Sequence, residues 1–143
     1  MKVEQVIAYT PEAAGQRLVA AGVGRVPAGF PSPAQDYSDT QIDLTKMLIR
    51  DEQATFIVQV SGDSMEDAGI FDGDKLIVDR SIEPRDGHVV VAVVDGEMTV
   101  KRLRVTDSGV VLQAENATYP DVRVPELSDL LVWGVATTCL HSL

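Results

Sequence analysis

Ser64 and Lys101 are the two residues of this chain best equipped to do chemistry together. Ser64 stands in Val60-Ser61-Gly62-Asp63-Ser64-Met65, and Lys101 follows 37 positions later in Met98-Thr99-Val100-Lys101-Arg102-Leu103. Serine is a weak nucleophile until a base removes its proton, and a neutral lysine amine can be that base in place of histidine. The obstacle is charge. An ordinary lysine, with a pKa of about 10.4, is only about 0.1% neutral near pH 7.4. Burial among apolar groups lowers a lysine pKa by as much as about 3–5 units. On a strand, Lys101 shares a face with Thr99, Leu103 and Val105, while Arg102 and Arg104 point the other way. The arginines therefore mark the wet face, and Lys101 is expected on the buried one. Gly62 lets the chain turn just before Ser64, leaving backbone N–H groups free to meet an oxyanion.

Other chemical groups fit less well. His88 with Asp63 or Asp86 would complete a Ser-His-Asp set, but it opens a β run after a turn and reads as structural or exposed. His141 lies in the tail, and no histidine pair has metal-ligand spacing. Asp63, Glu66, Asp67, Asp72 and Asp74 form an acidic cluster without the alternating ligands and closing glutamate of a calcium loop, so no metal is expected. The Gly-x-Ser-x-Gly elbow lacks its last glycine, and Ser-x-x-Lys is absent. Cys139, the single cysteine, has no internal disulfide partner and reads as a small packed hydrophobe.

The elements that must position the pair are short strands. Thr55–Ser61 alternates, with Phe56, Val58 and Val60 on one face. Asp72-Gly73-Asp74 turns into Leu76-Ile77-Val78, and Asp86-Gly87 opens the run from His88 to Val94, a strand buried on both faces. Asp95-Gly96 is a strong hairpin signal leading into the strand from Glu97 to Val105. Further strands are expected over 109–114, 122–124 and 131–138. The pattern predicts a mainly β fold, with a compact antiparallel domain over residues 55–143.

Residues 1–54 read as an extended N-terminal arm carrying short helices. Thr10-Pro11-Glu12 signals a helix start, continued over Ala13 to Ala21 and stopped by Gly22 and Gly24. Three prolines between 27 and 33 resist both helix and central strand. Asp43 is placed to cap a short amphipathic helix through Leu44, Met47, Leu48 and Ile49.

The bulk numbers narrow the field. A length of 143 residues, 45% hydrophobic and 24% charged, suits one globular domain with an appended arm. The net charge is −10, and residues 51–143 carry seven basic against 17 acidic side chains. Such a surface repels phosphate backbones, so tight direct DNA binding is not expected. No apolar run approaches the roughly 18 residues that span a bilayer, and the N-terminus lacks a signal-peptide layout. A cytoplasmic location follows as the expectation.

The segments Val60–Met65, Gly69-Ile70-Phe71-Asp72-Gly73-Asp74, Gly87-His88-Val89-Val90-Val91-Ala92 and Thr99–Leu103 together resemble the LexA/UmuD family of self-cleaving serine–lysine peptidases, across most of residues 28–143. The 37-residue spacing is similar too. Gly29-Phe30-Pro31-Ser32-Pro33-Ala34-Gln35-Asp36-Tyr37 and Ile42-Asp43-Leu44 resemble the arm of the UmuD-like branch. The 28 residues ahead of the expected cut are too few for a repressor's winged helix-turn-helix.

The resemblance implies a LexA/signal-peptidase-like β domain and a scissile bond at Ala28–Gly29. It implies Ser64 as nucleophile, Lys101 as general base, and the backbone N–H groups of Asp63 and Ser64 as oxyanion donors. It implies no cofactor. The implied partners are a second copy in a homodimer, the RecA filament on single-stranded DNA, and a Y-family polymerase subunit in error-prone synthesis. Cutting in cis or in trans stays open. Two other classes stand beside this one: a non-cleaving SOS interaction or inhibitor protein, and a signal-peptidase-like enzyme, which the lack of a membrane anchor disfavours.

Overall fold

The computed structural model describes residues 1–8, 18–21, 40–124 and 130–143, with the backbone alone at 18–21. The chain divides into two compact units, Met1–Thr10 with Asp51–Leu143, and Pro11–Arg50.

The first unit is an eight-stranded, antiparallel sheet. Its strands are β1 (Lys2–Ala8), β4 (Thr55–Ser61), β5 (Lys75–Asp79), β6 (Val89–Val94), β7 (Glu97–Thr106), β8 (Gly109–Gln113), β9 (Val122–Val124) and β10 (Leu131–Leu140). They lie in the order β1-β4-β5-β10-β6-β7-β8-β9. Lys2 also pairs with Thr99, so β1 touches β7 and closes a ring of six strands. The mainly β expectation holds, and the strands from 55 onward lie where the alternation places them.

Turn chemistry sets the hairpin that carries Lys101. Asp95 and Gly96 both adopt positive φ, 50° and 79°, as a tight turn between twisted strands requires. They hold β6 against β7 in the register Val90↔Lys101 and Ala92↔Thr99. Strand alternation then builds two cores. Met1, Val58, Val60, Met65, Ile70, Leu76, Val78, Val91 and Val100 pack on one side. Val90, Ala92, Leu103, Val110, Leu112 and Val135 pack on the other. Val90, Val91 and Ala92 are all fully buried, so β6 is covered on both faces as its apolar run predicts.

The second unit pairs β2 (Leu18–Ala21) with β3 (Thr40–Asp43), followed by α1 (Leu44–Leu48). Asp43 caps α1 as expected, its carboxylate accepting the Lys46 N–H at 3.3 Å. The helix expected over 13–21 needs correction at its end. Leu18–Ala21 is a strand, because pairing with Thr40–Asp43 satisfies its backbone groups in a ladder and overrides a weak local helix preference. Residues 9–17 and the proline-rich stretch lie outside the described residues. β1, in the segment read as arm, is a strand that sequence reasoning missed. Its apolar residues Val3, Val6 and Ile7 do not alternate, and the register slips between Val3 and Gln5.

Candidate active site

Ser64 is held at the end of β4 by a turn tied down on every side. Gly62 has φ of 97°, a conformation closed to most side chains, and its N–H donates to Asp72 Oδ1 at 2.8 Å. The Asp63 carbonyl accepts Asn116 Nδ2–H at 3.0 Å and the Glu66 N–H at 3.2 Å. The Asp63 carboxylate accepts the Tyr119 hydroxyl. Next to Ser64, Met65 is fully buried and anchors the turn in the core. Ser64 itself is fully buried. Among the described residues, the N–H groups of Asp63 and Ser64 donate to no acceptor.

Lys101 comes from the middle of β7, where β6 and β8 flank it. It is 9% exposed and Leu103 is fully buried, whereas Arg104 is exposed and Arg102 reaches outward to Glu115 Oε1 at 2.8 Å. Parity alone anticipated that split. It does not hold at Val105, which is 41% exposed near the strand's end. Among the described residues no carboxylate pairs with the Lys101 ammonium. Its Nζ lies 5.6 Å from the centroid of the Tyr119 ring. Burial pushes the Lys101 pKa below the ordinary lysine value, favouring the neutral amine.

A third group stands in the site. The Met1 α-amino group donates a hydrogen bond to Ser64 Oγ, and the Met1 carbonyl accepts the Val100 N–H at 3.0 Å. Burial, then repulsion from Lys101, lowers the pKa of this amine, while Asp63 opposes the fall. Among the described residues, the hydrogen-bond partner of Ser64 Oγ is thus Met1, and no hydrogen bond joins Ser64 to Lys101. Met1, Asn116 and Tyr119 carried no recognisable signal in the sequence. They reach the site only because β1 and the 115–120 loop fold back on the Ser64 turn. Ala28 and Gly29 lie outside the described residues.

The remaining candidates have structural uses. His88 Nδ1 accepts the Arg85 N–H at 3.1 Å. Asp74, 4% exposed, accepts the Phe71 N–H at 2.8 Å and the Cys139 thiol at 3.3 Å, and pairs with His141 Nδ1 at 2.6 Å. Asp72, Asp74 and Asp63 are therefore acceptors for turns and loops. Among the described residues no cluster of His, Cys, Asp and Glu is arranged to hold a metal.

Residues 21–137 match the family described as Peptidase S24-like. Protein SamA of Salmonella typhimurium is 43% identical over 117 residues, covering 82% of this chain and 81% of SamA. Protein MucA of Escherichia coli is 42% identical over 120 residues, covering 83% of this chain and 80% of MucA. A LexA repressor of Delftia acidovorans is 41% identical over 120 residues, covering 84% of this chain but 53% of the repressor. With a serine turn and a buried strand lysine inside the matched stretch, the chain belongs to the Peptidase S24-like family.

Proposed function

We propose that this chain is a self-cleaving serine peptidase of the SOS DNA-damage response, cutting itself once at Ala28–Gly29. The observation that supports the reading is Lys101, buried without an ionic partner among the described residues and facing the ring of Tyr119, whose hydroxyl donates to Asp63. Neutral Lys101 takes the proton of the Ser64 hydroxyl, and the oxygen attacks the Ala28 carbonyl carbon. The N–H groups of Asp63 and Ser64, unengaged among the described residues, receive the developing oxyanion. The C–N bond to Gly29 breaks, and Lys101 returns its proton to the departing amine. Water, deprotonated by Lys101, then hydrolyses the acyl-enzyme and frees residues 1–28.

The RecA filament on single-stranded DNA stimulates the cut, and the trimmed homodimer works with a Y-family polymerase subunit in the cytoplasm. Likeness to SamA and MucA over most of their lengths supports this reading over a repressor's. Intact-mass spectrometry of purified protein, with and without activated RecA, is the test. Loss of residues 1–28 is expected, and both Ser64→Ala and Lys101→Ala should abolish it. Cleavage surviving either substitution overturns the pair.

The Met1 amine on Ser64 favours a second reading, a non-cleaving interaction protein of the same response. The same masses separate the two, since that protein stays whole under every condition.

A further inference from the structure

The seam where β1 closes the ring of strands is also where the reaction has to occur. Ser64 follows β4, Lys101 lies on β7, and β1 is the strand that touches both. It pairs with β4 from Lys2↔Ser61 to Ala8↔Phe56, and with β7 at Lys2↔Thr99. Met1 is wedged deepest, 8% exposed in the core, with its amine on Ser64 Oγ and its carbonyl on the Val100 N–H. A scissile carbonyl needs the space over Oγ that this amine holds. Both cannot be there at once.

The rest of β1 pairs with β4 along its length but buries little side-chain surface. Apart from Val3, its residues from Lys2 to Ala8 are exposed, and the register slips at Glu4. Among the described residues its side-chain ties are few: Lys2 Nζ lies 3.1 Å from Glu97 Oε1, and Ser61 Oγ donates to Glu4 Oε1 at 2.5 Å. The strand is held chiefly by backbone pairing, which any extended peptide can supply. The stretch beyond the scissile bond is suited to supply it. In an extended strand, Phe30, Ser32 and Ala34 direct their N–H groups to one side, while Pro31 and Pro33 face the other and have none to offer. Such a segment pairs along a single edge.

We propose that the β4 edge leading to Ser64 is a surface that accepts one extended strand at a time. Met1–Ala8 is its resident occupant, and the segment around Ala28–Gly29 displaces it before the bond is cut. The displacement step rests on the reading that Ser64 attacks that bond; the strand-accepting edge does not.

Neighbouring residues in a strand aim their N–H groups to opposite sides, so Gln5→Pro with Val6→Pro removes whichever one bonds β4. The full-length double variant should cut itself about tenfold faster than the parent, because its edge is empty more of the time. A folded double variant that cuts no faster than the parent overturns the displacement step. If the prolines unfold the protein, Lys2→Glu is the substitute. It sets two carboxylates against each other at Glu97 and should speed cutting about twofold.

Binding is measured apart from cutting, in a Lys101→Met background. A peptide of residues 1–8, labelled at its C-terminus, should bind the double-proline chain by fluorescence anisotropy and not the chain with intact β1. An unlabelled peptide of residues 26–34 should displace it. Absence of binding or of displacement overturns the shared edge. Binding and displacement in this background, together with a Lys101-containing parent that stays whole with and without activated RecA, would leave the edge standing and remove the peptidase reading instead.

Discussion

Replacing Lys101 by methionine should abolish self-cleavage and yet stabilise the fold. Methionine keeps the length and most of the volume of the lysine stem, so packing around Leu103 and Val90 is conserved. What changes is the cost of the ammonium. Lys101 is 9% exposed and burial lowers its pKa, so in the folded state charging it is harder than in the unfolded chain. The folded protein then binds fewer protons between the lowered pKa and the unfolded value of about 10.4. Stability therefore rises with pH through that window, and the penalty is fully present below it.

Each unit of pKa lowering corresponds to about 1.4 kcal/mol. Residual solvent contact screens part of this, and the Tyr119 ring, 5.6 Å from Nζ, offsets some more. A net gain of about 1 kcal/mol at pH 7 is expected, or about 3 °C in melting temperature for a chain of this size. The assay is urea unfolding of Lys101→Met against Ser64→Ala, both uncut, from pH 6 to pH 10.5. The advantage of the methionine should shrink as pH approaches 10.5. A methionine variant less stable than the Ser64→Ala protein at pH 7, or an advantage independent of pH, would refute a buried, costly ammonium.

The same lowered pKa governs the rate. Cleavage followed by intact mass should rise about tenfold per pH unit from pH 6, levelling off at a pH below the ordinary lysine value, and a flat profile would exclude Lys101 as the base. At Asp74, burial pushes the pKa up, but donors from Phe71, His141 and Cys139 outweigh it and hold the carboxyl below its usual value. Asp74→Asn should therefore cost about 1–3 kcal/mol at pH 7. That deficit should narrow as pH falls from about 3.9, where the carboxyl of the unfolded chain protonates, through the lower native pKa, and acid titration of both proteins checks it. Gly134→Ala would set a Cβ 2.5 Å from Val78 Cγ1 where β10 crosses β5, so a loss of about 1–3 kcal/mol is expected in denaturant melts.

The strands from Thr55 to the C-terminus were legible because alternation and paired turn residues are local signals. Asp95-Gly96 gave its hairpin away, and the unbroken apolar run of β6 announced a strand covered on both faces. Lys101 was legible for the same reason: strand parity sorts Lys101 and Leu103 from Arg102 and Arg104 without any knowledge of what lies opposite. The end of that face, at Val105, escaped that logic because burial fades near the strand's end. β2 was misread because four residues with fair helix propensity are decided by their partner strand, and Thr40–Asp43 lies about 20 positions away.

Residue types and periodicity were thus enough to determine the β fold, the turn that presents Ser64 and the side of the strand that buries Lys101. These depend on a handful of neighbours in the chain. Tertiary structure alone decided what shares the site with them. Met1 meets Ser64 across 63 positions, and Tyr119 meets Asp63 across 56. Such contacts are set by which strand closes the ring and where a loop returns, and no local pattern encodes either.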